Sequence, residues 1–296
     1  MKLFKRLFAP FAALLAVAAP TAARAPQQAK PALWEVSDAD TKVYLFGTIH
    51  LLPQNYRWRT PTFDQAVAGS QQLVVETIVD ENNPHQMMAA MTSLAFSPDL
   101  PPIIERVPAA KRPALQAAIR KSGMTEPMFD KMETWAAAFM LLGNQFRAMG
   151  LKTGEGVEQN LRSSFSSQGK KVGELESNRE QLAFFDILPE EAQRMLLEGA
   201  IDETQDMTKE FDQMLSSWAR GDVQGIAKSF NDTLAVSPDL REILLRRRNE
   251  NWSRWVRQRM AAPGSVMVAV GAGHLAGSDS LVDMLRRGGY KVRRLQ

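Results

Sequence analysis

No cysteine occurs anywhere in the 296 residues. That absence excludes a thiol nucleophile, a Cys-ligated zinc, a disulfide framework and a lipidated lipoprotein N-terminus. A chain of this length builds its core without disulfide staples, and 45% apolar with 23% charged residues is an ordinary globular composition. Histidine is scarce as well, with only three, at positions 50, 85 and 274. The patterns HExxH, GxSxG, GxxxxGKS/T and GxGxxG after a strand are all missing, which removes the usual zincin, serine-hydrolase, P-loop and dinucleotide-binding readings.

The excess of positive charge is confined to one end. The opening MKLFKRLFAPFAALLAVAAPTAARA has a basic start (Lys2, Lys5, Arg6), an apolar run from Leu7 to Ala19 and an A-x-A exit at Ala23-Arg24-Ala25. It reads as a signal peptide over residues 1–25, too short and too Pro-interrupted for an anchor, with cleavage after Ala25 or Ala23. The whole chain is +3, and removing the four cations of that segment leaves −1. The expectation is a periplasmic or secreted protein with no membrane span in its mature part and no nucleic-acid partner.

After a polar linker at Pro26–Pro31, ALWEVSD and KVYLFGTIH read as a hairpin about Asp38-Ala39-Asp40. Thr60-Pro61 starts a short helix, Gly69-Ser70 closes it, and QQLVV is the next strand. From about Pro84 the period becomes helical: MTSLAF, AAKRPALQAAIRKSG and one long TEPMFDKMETWAAAFMLLGNQFRAMG, with Gly123 and Gly150 as stops. Trp135, Phe139, Leu142 and Phe146 form an apolar face that suits core or groove lining. GKKVGELES adds a strand, Ser177 to Phe185 a helix, then acidic amphipathic helices and a basic helix starting at Ser237-Pro238-Asp239, whose Arg246-Arg247-Arg248 triplet suits a solvated face. The chain ends as strand SVMVAVG, a helix from about Asp279 to Arg286, and strand YKVRRL. The predicted fold is α/β: a central sheet built from the N- and C-terminal segments, with a large helical insertion or lobe at about 84–262, all within one domain over 26–296. SVMVAVG, apolar almost throughout, suits a strand buried on both faces.

Two of the three histidines stand in one repeated frame, VYLFGTIHL and MVAVGAGHL, an apolar run followed by Gly-x-x-His-Leu. Glycine there frees the backbone to turn out of the sheet, and the histidine then lies beyond the carboxyl end of its strand, where open α/β sheets bind ligands. If the strands are neighbours, His50 and His274 share one edge, with Gly47, Gly271 and Gly273 allowing close approach of a bound group. Imidazole is the commonest ligand of zinc and related ions, and an open catalytic site needs a carboxylate besides. Glu76, at the end of QQLVV, is the candidate, a helix or turn cap being its alternative role. His85, in NNPHQMM, has no such frame and reads as a surface or helix-start residue.

LFGTIHLLP, VVETIVD, GEGVEQNL, KKVGELESNREQL, RRRNENW and VAVGAGHLAG, in that order, resemble the TraB/GumN family, to which the animal Tiki proteins are related. The resemblance covers nearly all of the chain after the leader. It implies an erythromycin esterase/ChaN-like α/β fold with two histidines and a glutamate in one cleft, and, by way of Tiki, a metal-dependent protease using manganese or cobalt. Carried over, it marks His50 and His274 with Glu76 as metal ligands. Glu158 falls in Gly156-Val157-Glu158, with Glu where Asp is usual. Glu176 falls in Gly173-Glu174-Leu175-Glu176-Ser177, which has one extra residue and Ser for Thr. Arg248 falls in Arg248-Asn249, steadying a carboxylate or an oxyanion, with a surface arginine as the alternative.

These residues allow three readings. A metal-dependent, peptidase-like hydrolase would hold Mn, Co or Zn on His50, His274 and Glu76, with Glu158 or Glu176 moving protons on a peptide or small-molecule substrate. A metal-free esterase-like hydrolase would use a histidine as general base. A non-enzymatic protein would bind a metal, haem or a partner through the cleft.

Overall fold

The computed structural model describes residues 29–50, 52–53, 56–79, 85–148, 156–201, 204–234 and 237–296. The segment read as a leader and Gly150 lie outside the described residues, as does the side chain of Phe146. Among the described residues the fold is mixed α/β, mostly helical, around one six-stranded sheet. Its strands are β1 (Leu33–Ser37), β2 (Thr41–Thr48), β3 (Gln72–Val75), β4 (Lys171–Glu174), β5 (Gly264–Gly271) and β6 (Val292–Arg294), in the spatial order β4-β3-β5-β2-β1-β6. The predicted hairpin is present: Asp38 Oδ1 accepts from the backbone N–H of Asp40 and Thr41, and β1 runs antiparallel to β2. β2, β5, β3 and β4 are mutually parallel. β4 lies inside the expected helical stretch 84–262, which thus also supplies an edge strand to the sheet.

Both faces of the sheet are covered, and the alternation along β5 shows it. Val266, Val268 and Val270 pack with Trp252, Val256, Leu281 and Leu285, from the helices Arg247–Met260 and Leu281–Arg287. Met267 and Ala269 face the larger core formed by the helices of the middle of the chain. These five β5 residues are fully buried, as the apolar run predicts for a central strand. No helix of the described residues is long and apolar enough to cross a membrane.

Two helical expectations are corrected. The long helix predicted from Thr125 is two, Glu126–Asp130 and Thr134–Ala148. The break is held by Arg106, 1% exposed, whose guanidinium donates to the carbonyls of Asp130 (2.7 Å), Met132 (2.5 Å) and Pro101 (2.7 Å). The Asp130 and Met132 carbonyls, which a continuous helix would have bonded internally, are taken up by a buried cation instead. The basic helix starts as expected, Ser237 capping Leu240 N, but contains a π turn at Glu242–Arg246 before Arg247–Met260. A π turn inserts a residue and rotates the helix beyond it, and Arg248 is the second residue after that turn.

Replacing Arg106 by Met should leave the buried Met132 carbonyl and two part-buried ones without this donor and lower unfolding stability by about 1–3 kcal/mol, read as a shifted denaturation midpoint. An unchanged midpoint would show that the break does not depend on the guanidinium.

Candidate active site

Because β2, β5, β3 and β4 are parallel, their carboxyl ends open at one edge of the sheet, and each delivers a candidate residue there: His50 after β2, His274 after β5, Glu76 after β3, Glu176 after β4. β2 and β5 are neighbours, with Thr48 opposite Gly271, so the two Gly-x-x-His frames do meet. His50, Glu76, Arg248 and His274 line one cavity of about 170 Å³, together with Thr48, Gln181 and Gly271. Glu158 and Glu176 stand directly behind that lining, each bonded to a lining side chain. His85 opens the helix His85–Leu94 and is exposed, as expected.

The backbone-angle reason for the glycines is corrected. Gly47, Gly271 and Gly273 are not among the described residues with positive φ, so backbone angle is not their reason. A Cβ on Gly47 would lie 3.0 Å from Ala272 Cα, one on Gly273 2.1 Å from the Phe230 ring, and one on Gly271 3.2 Å from Glu76 Oε1. Gly47 and Gly273 therefore serve packing, while Gly271 lets its N–H reach Glu76 Oε1 at 2.6 Å.

The β3–β4 register sets two buried acids side by side: Glu176 N–H donates to Glu76 O at 2.9 Å. Arg248 lies against both. Its Nη2 donates to Glu76 Oε2 (2.6 Å) and Glu176 Oε2 (2.8 Å), and its Nε to Glu176 Oε1 (3.0 Å). The side chain is buried beneath Trp252, with the guanidinium carbon 4.8 Å from the ring centre, and is not part of the solvated face expected of the triplet. Arg246 and Arg247 fit that description and pair with Glu242. Burial pushes the Glu76 carboxyl up, but Arg248, both imidazoles and the Gly271 N–H outweigh it and hold it down at about 2. For Glu176 burial prevails over the same guanidinium, and the carboxyl stands above its ordinary value.

The two histidines diverge. Asn249 Nδ2 donates to Asp279 O at 2.7 Å, which turns its Oδ1 toward His274 Nδ1 at 2.8 Å. This orientation assigns the ring proton to Nδ1 and leaves the Nε2 lone pair facing Arg248 Nη1 at 3.2 Å. Burial first and the guanidinium second push His274 down to about 3. His50 is half-exposed, and its Nδ1 lies 3.1 Å from Glu158 Oε1, which also accepts from the Thr48 hydroxyl. The Glu158 carboxylate drives His50 up to about 9, against the opposing pull of burial. Burial raises Glu158, and the His50 partner with the Thr48 hydroxyl brings it back below its ordinary value.

The Gly-Val-Glu element now has a physical reason. A Cβ on Gly156 would fall 2.1 Å from His50 O, and Val157 N–H donates to Ile49 O at 3.2 Å. Only glycine lets the helix Val157–Ser167 dock its first turn against the His50 backbone and set Glu158 beside the ring. Sequence reasoning assigned no role to Thr48, Asn249 or Gln181, whose Nε2 donates to Glu76 Oε2 at 3.3 Å. Asn249 was visible in the Arg-Asn pair, and Thr48 within the first Gly-x-x-His frame.

Two imidazoles and a carboxylate are the right donor types for a divalent ion, but those of His274 and Glu76 are already engaged. His274 Nε2 and Glu76 Oε2 both face Arg248, and Glu76 Oε1 takes the Gly271 N–H. Among the described residues no three His, Cys, Asp or Glu side chains converge as an ion requires. As arranged, with the guanidinium between them, these residues do not fit a divalent ion.

The sequence profile of the TraB/PrgY/gumN family matches residues 32–294. The chain is 26% identical over 243 residues to the Uncharacterized protein YbaP of Escherichia coli (strain K12), covering 82% of this chain and 87% of that protein. The same figures hold for YbaP of Shigella flexneri. No solved structure matches the chain.

His50 contributes stability fully below 6.5 and loses it as pH rises through about 9, whereas His274, held neutral, costs stability as pH falls from 6.5 toward 3. Ring-proton NMR should show these two midpoints. Gly156→Ala should cost about 1–3 kcal/mol by overpacking and move the His50 midpoint from about 9 toward 6.5. A midpoint still near 9 would show that Glu158 does not control the ring.

Proposed function

The chain belongs to the TraB/PrgY/gumN family, and from that premise we propose that the cleft is the reacting centre of a hydrolase for neutral esters or amides, with His50 as general base. The observation that carries the reading is the Glu158–His50 pair, 3.1 Å apart, with His50 lining a cavity that Arg248 also lines. Glu158 at Nδ1 orients the ring and stabilises its protonated form, as a base of this kind needs, and Nε2 is the atom we assign to the reacting proton. His50 Nε2 takes a proton from water as the water oxygen adds to the carbonyl carbon. The C–O or C–N bond then breaks, and the same proton passes from Nε2 to the leaving group. Arg248 has five N–H donors, of which Nε, both of Nη2 and one of Nη1 meet Glu176, Glu76 and His274. The second Nη1 N–H is the candidate donor to the developing oxyanion. Neutral His274 accepts from Nη1 and keeps the guanidinium in place.

A Tiki-like metal-dependent peptidase is the second reading, favoured by the donor types of His50, His274 and Glu76. It requires Arg248 to withdraw from His274 and Glu76. With residues 1–25 taken as a leader, either reaction takes place outside the cytoplasm, in the periplasm or beyond.

Screening the purified protein on ester and amide libraries before and after exhaustive chelation separates the readings. Turnover should survive chelation, kcat/KM should rise with pH to a midpoint near 9, and His50→Ala should lose about 10²–10⁴-fold. Activity lost on chelation and restored by Mn, Co or Zn would establish the metal reading instead. Binding without any turnover would make the protein a receptor.

A further inference from the structure

The charged groups occupy one end of the cavity, and the remaining wall is apolar. Phe139, Leu182, Phe185, Leu196, Met214 and Leu244 line it. They come from the helices Thr134–Ala148, Asn178–Asp186, Glu190–Gly199 and Thr204–Ala219 and from the π turn Glu242–Arg246. Four separate helices and the π turn thus converge on one small volume without filling it, although protein interiors ordinarily close such space. Phe139 and Phe185 meet edge to face, centroids 4.6 Å apart, and Trp135 packs against both.

The geometry points to a binding pocket for one neutral acyl group of about six or seven carbons counting its carbonyl, the carbonyl received by the polar end and the tail by the apolar wall. Size sets the first half of that statement. An apolar cavity of about 150 Å³ lined by Leu, Ile and Phe takes up benzene, and this cavity, its polar end included, is about 170 Å³. A benzyl, isobutyl or hexanoyl-sized group fits, whereas a long lipid chain does not. Charge sets the second half. Both cations at the polar end are matched, Arg248 by Glu76 and Glu176 and His50 by Glu158. Among the described residues no cation is left over there for a phosphate or carboxylate, so the polar part of the ligand is an uncharged carbonyl group. The pocket is therefore suited to the acyl side of a medium-chain ester or amide, or to a leucine or phenylalanine side chain of a peptide.

The position of the carbonyl rests on the hydrolase reading above, but binding without turnover tests the pocket itself. Calorimetric titration of the full chain with the primary amides from propanamide to decanamide should show affinity rising about fourfold per methylene up to hexanamide or heptanamide and flat or falling beyond. Hexanoate should bind more weakly than hexanamide at pH 7. N-acetyl-phenylalaninamide should bind more tightly than N-acetyl-alaninamide, and comparison with hexanamide tells a peptide from an acyl source. Leu196→Trp should abolish the chain-length dependence. Should that variant fail to fold, Phe185→Leu enlarges the pocket instead and should move the optimum to a longer chain. His50→Ala should lose turnover yet keep the dependence. A dependence without turnover in the wild-type protein would sink the hydrolase reading and leave the pocket standing. Turnover with no dependence on chain length, or tighter binding of hexanoate than hexanamide, would overturn the pocket.

Discussion

Two acids set next to each other in a buried place require a cation, and Arg248 is that cation. The parallel register of β3 and β4 leaves Glu76 and Glu176 adjacent wherever the sheet forms. In a poorly solvated site a second carboxyl beside the first is costly to ionise, and a positive charge against both offsets part of that cost. The planar guanidinium meets both carboxylates and a ring nitrogen at once, which a point-like ammonium could not do. It joins the end of β3, the segment after β4, the exit of β5 and the helix Arg247–Met260. A buried ionic cluster of this sort adds little net stability, since desolvation offsets most of the attraction. What it secures is orientation: with Arg248 fixed, Glu76 can turn only toward Gly271, and His274 presents one nitrogen.

The same frame, Gly-x-x-His after a parallel strand, yields two imidazoles of opposite character. His274 is enclosed under Trp252, ring centroids 4.4 Å apart, with a guanidinium for a neighbour, and remains neutral. His50 stands half-open with a carboxylate at Nδ1 and carries its proton to about 9. Titratable pairs whose surroundings drive them apart are a recurrent mark of acid–base sites. The difference arises from what the two strands meet after they leave the sheet, a helix N-terminus in one case and the Arg-Asn pair in the other.

Much of this architecture was legible in the residue order. The apolar runs, their bounding turns and the helix caps at Thr60, Ser177 and Ser237 each depend on a few adjacent residues, and the observed elements match them closely. The shared frame pointed correctly to neighbouring strands. The failures all involve a partner distant in sequence. The helix break at Lys131–Glu133 depends on Arg106, and the small size required at Gly273 depends on Phe230. The burial of Arg248 inside an otherwise exposed triplet depends on Glu76 and Glu176. The apolar half of the cavity was visible only as amphipathic helices, because periodicity shows that a face is covered but not that several such faces stop short of contact.

The position of β5 in the sheet has a consequence in time. It is the central strand, paired on both sides, yet it is the second-to-last to be made: Thr41 aligns with Gly264 from the far end of the chain. During synthesis β1, β2 and β3 exist for most of the chain's length without the strand that joins them, and contacts so distant in sequence form slowly. Until then their unpaired edges are open to wrong partners, the condition under which large chains aggregate or require a chaperone. The cleft therefore requires β5 to pair between β2 and β3, which brings His274 to the edge where His50 and Glu76 stand.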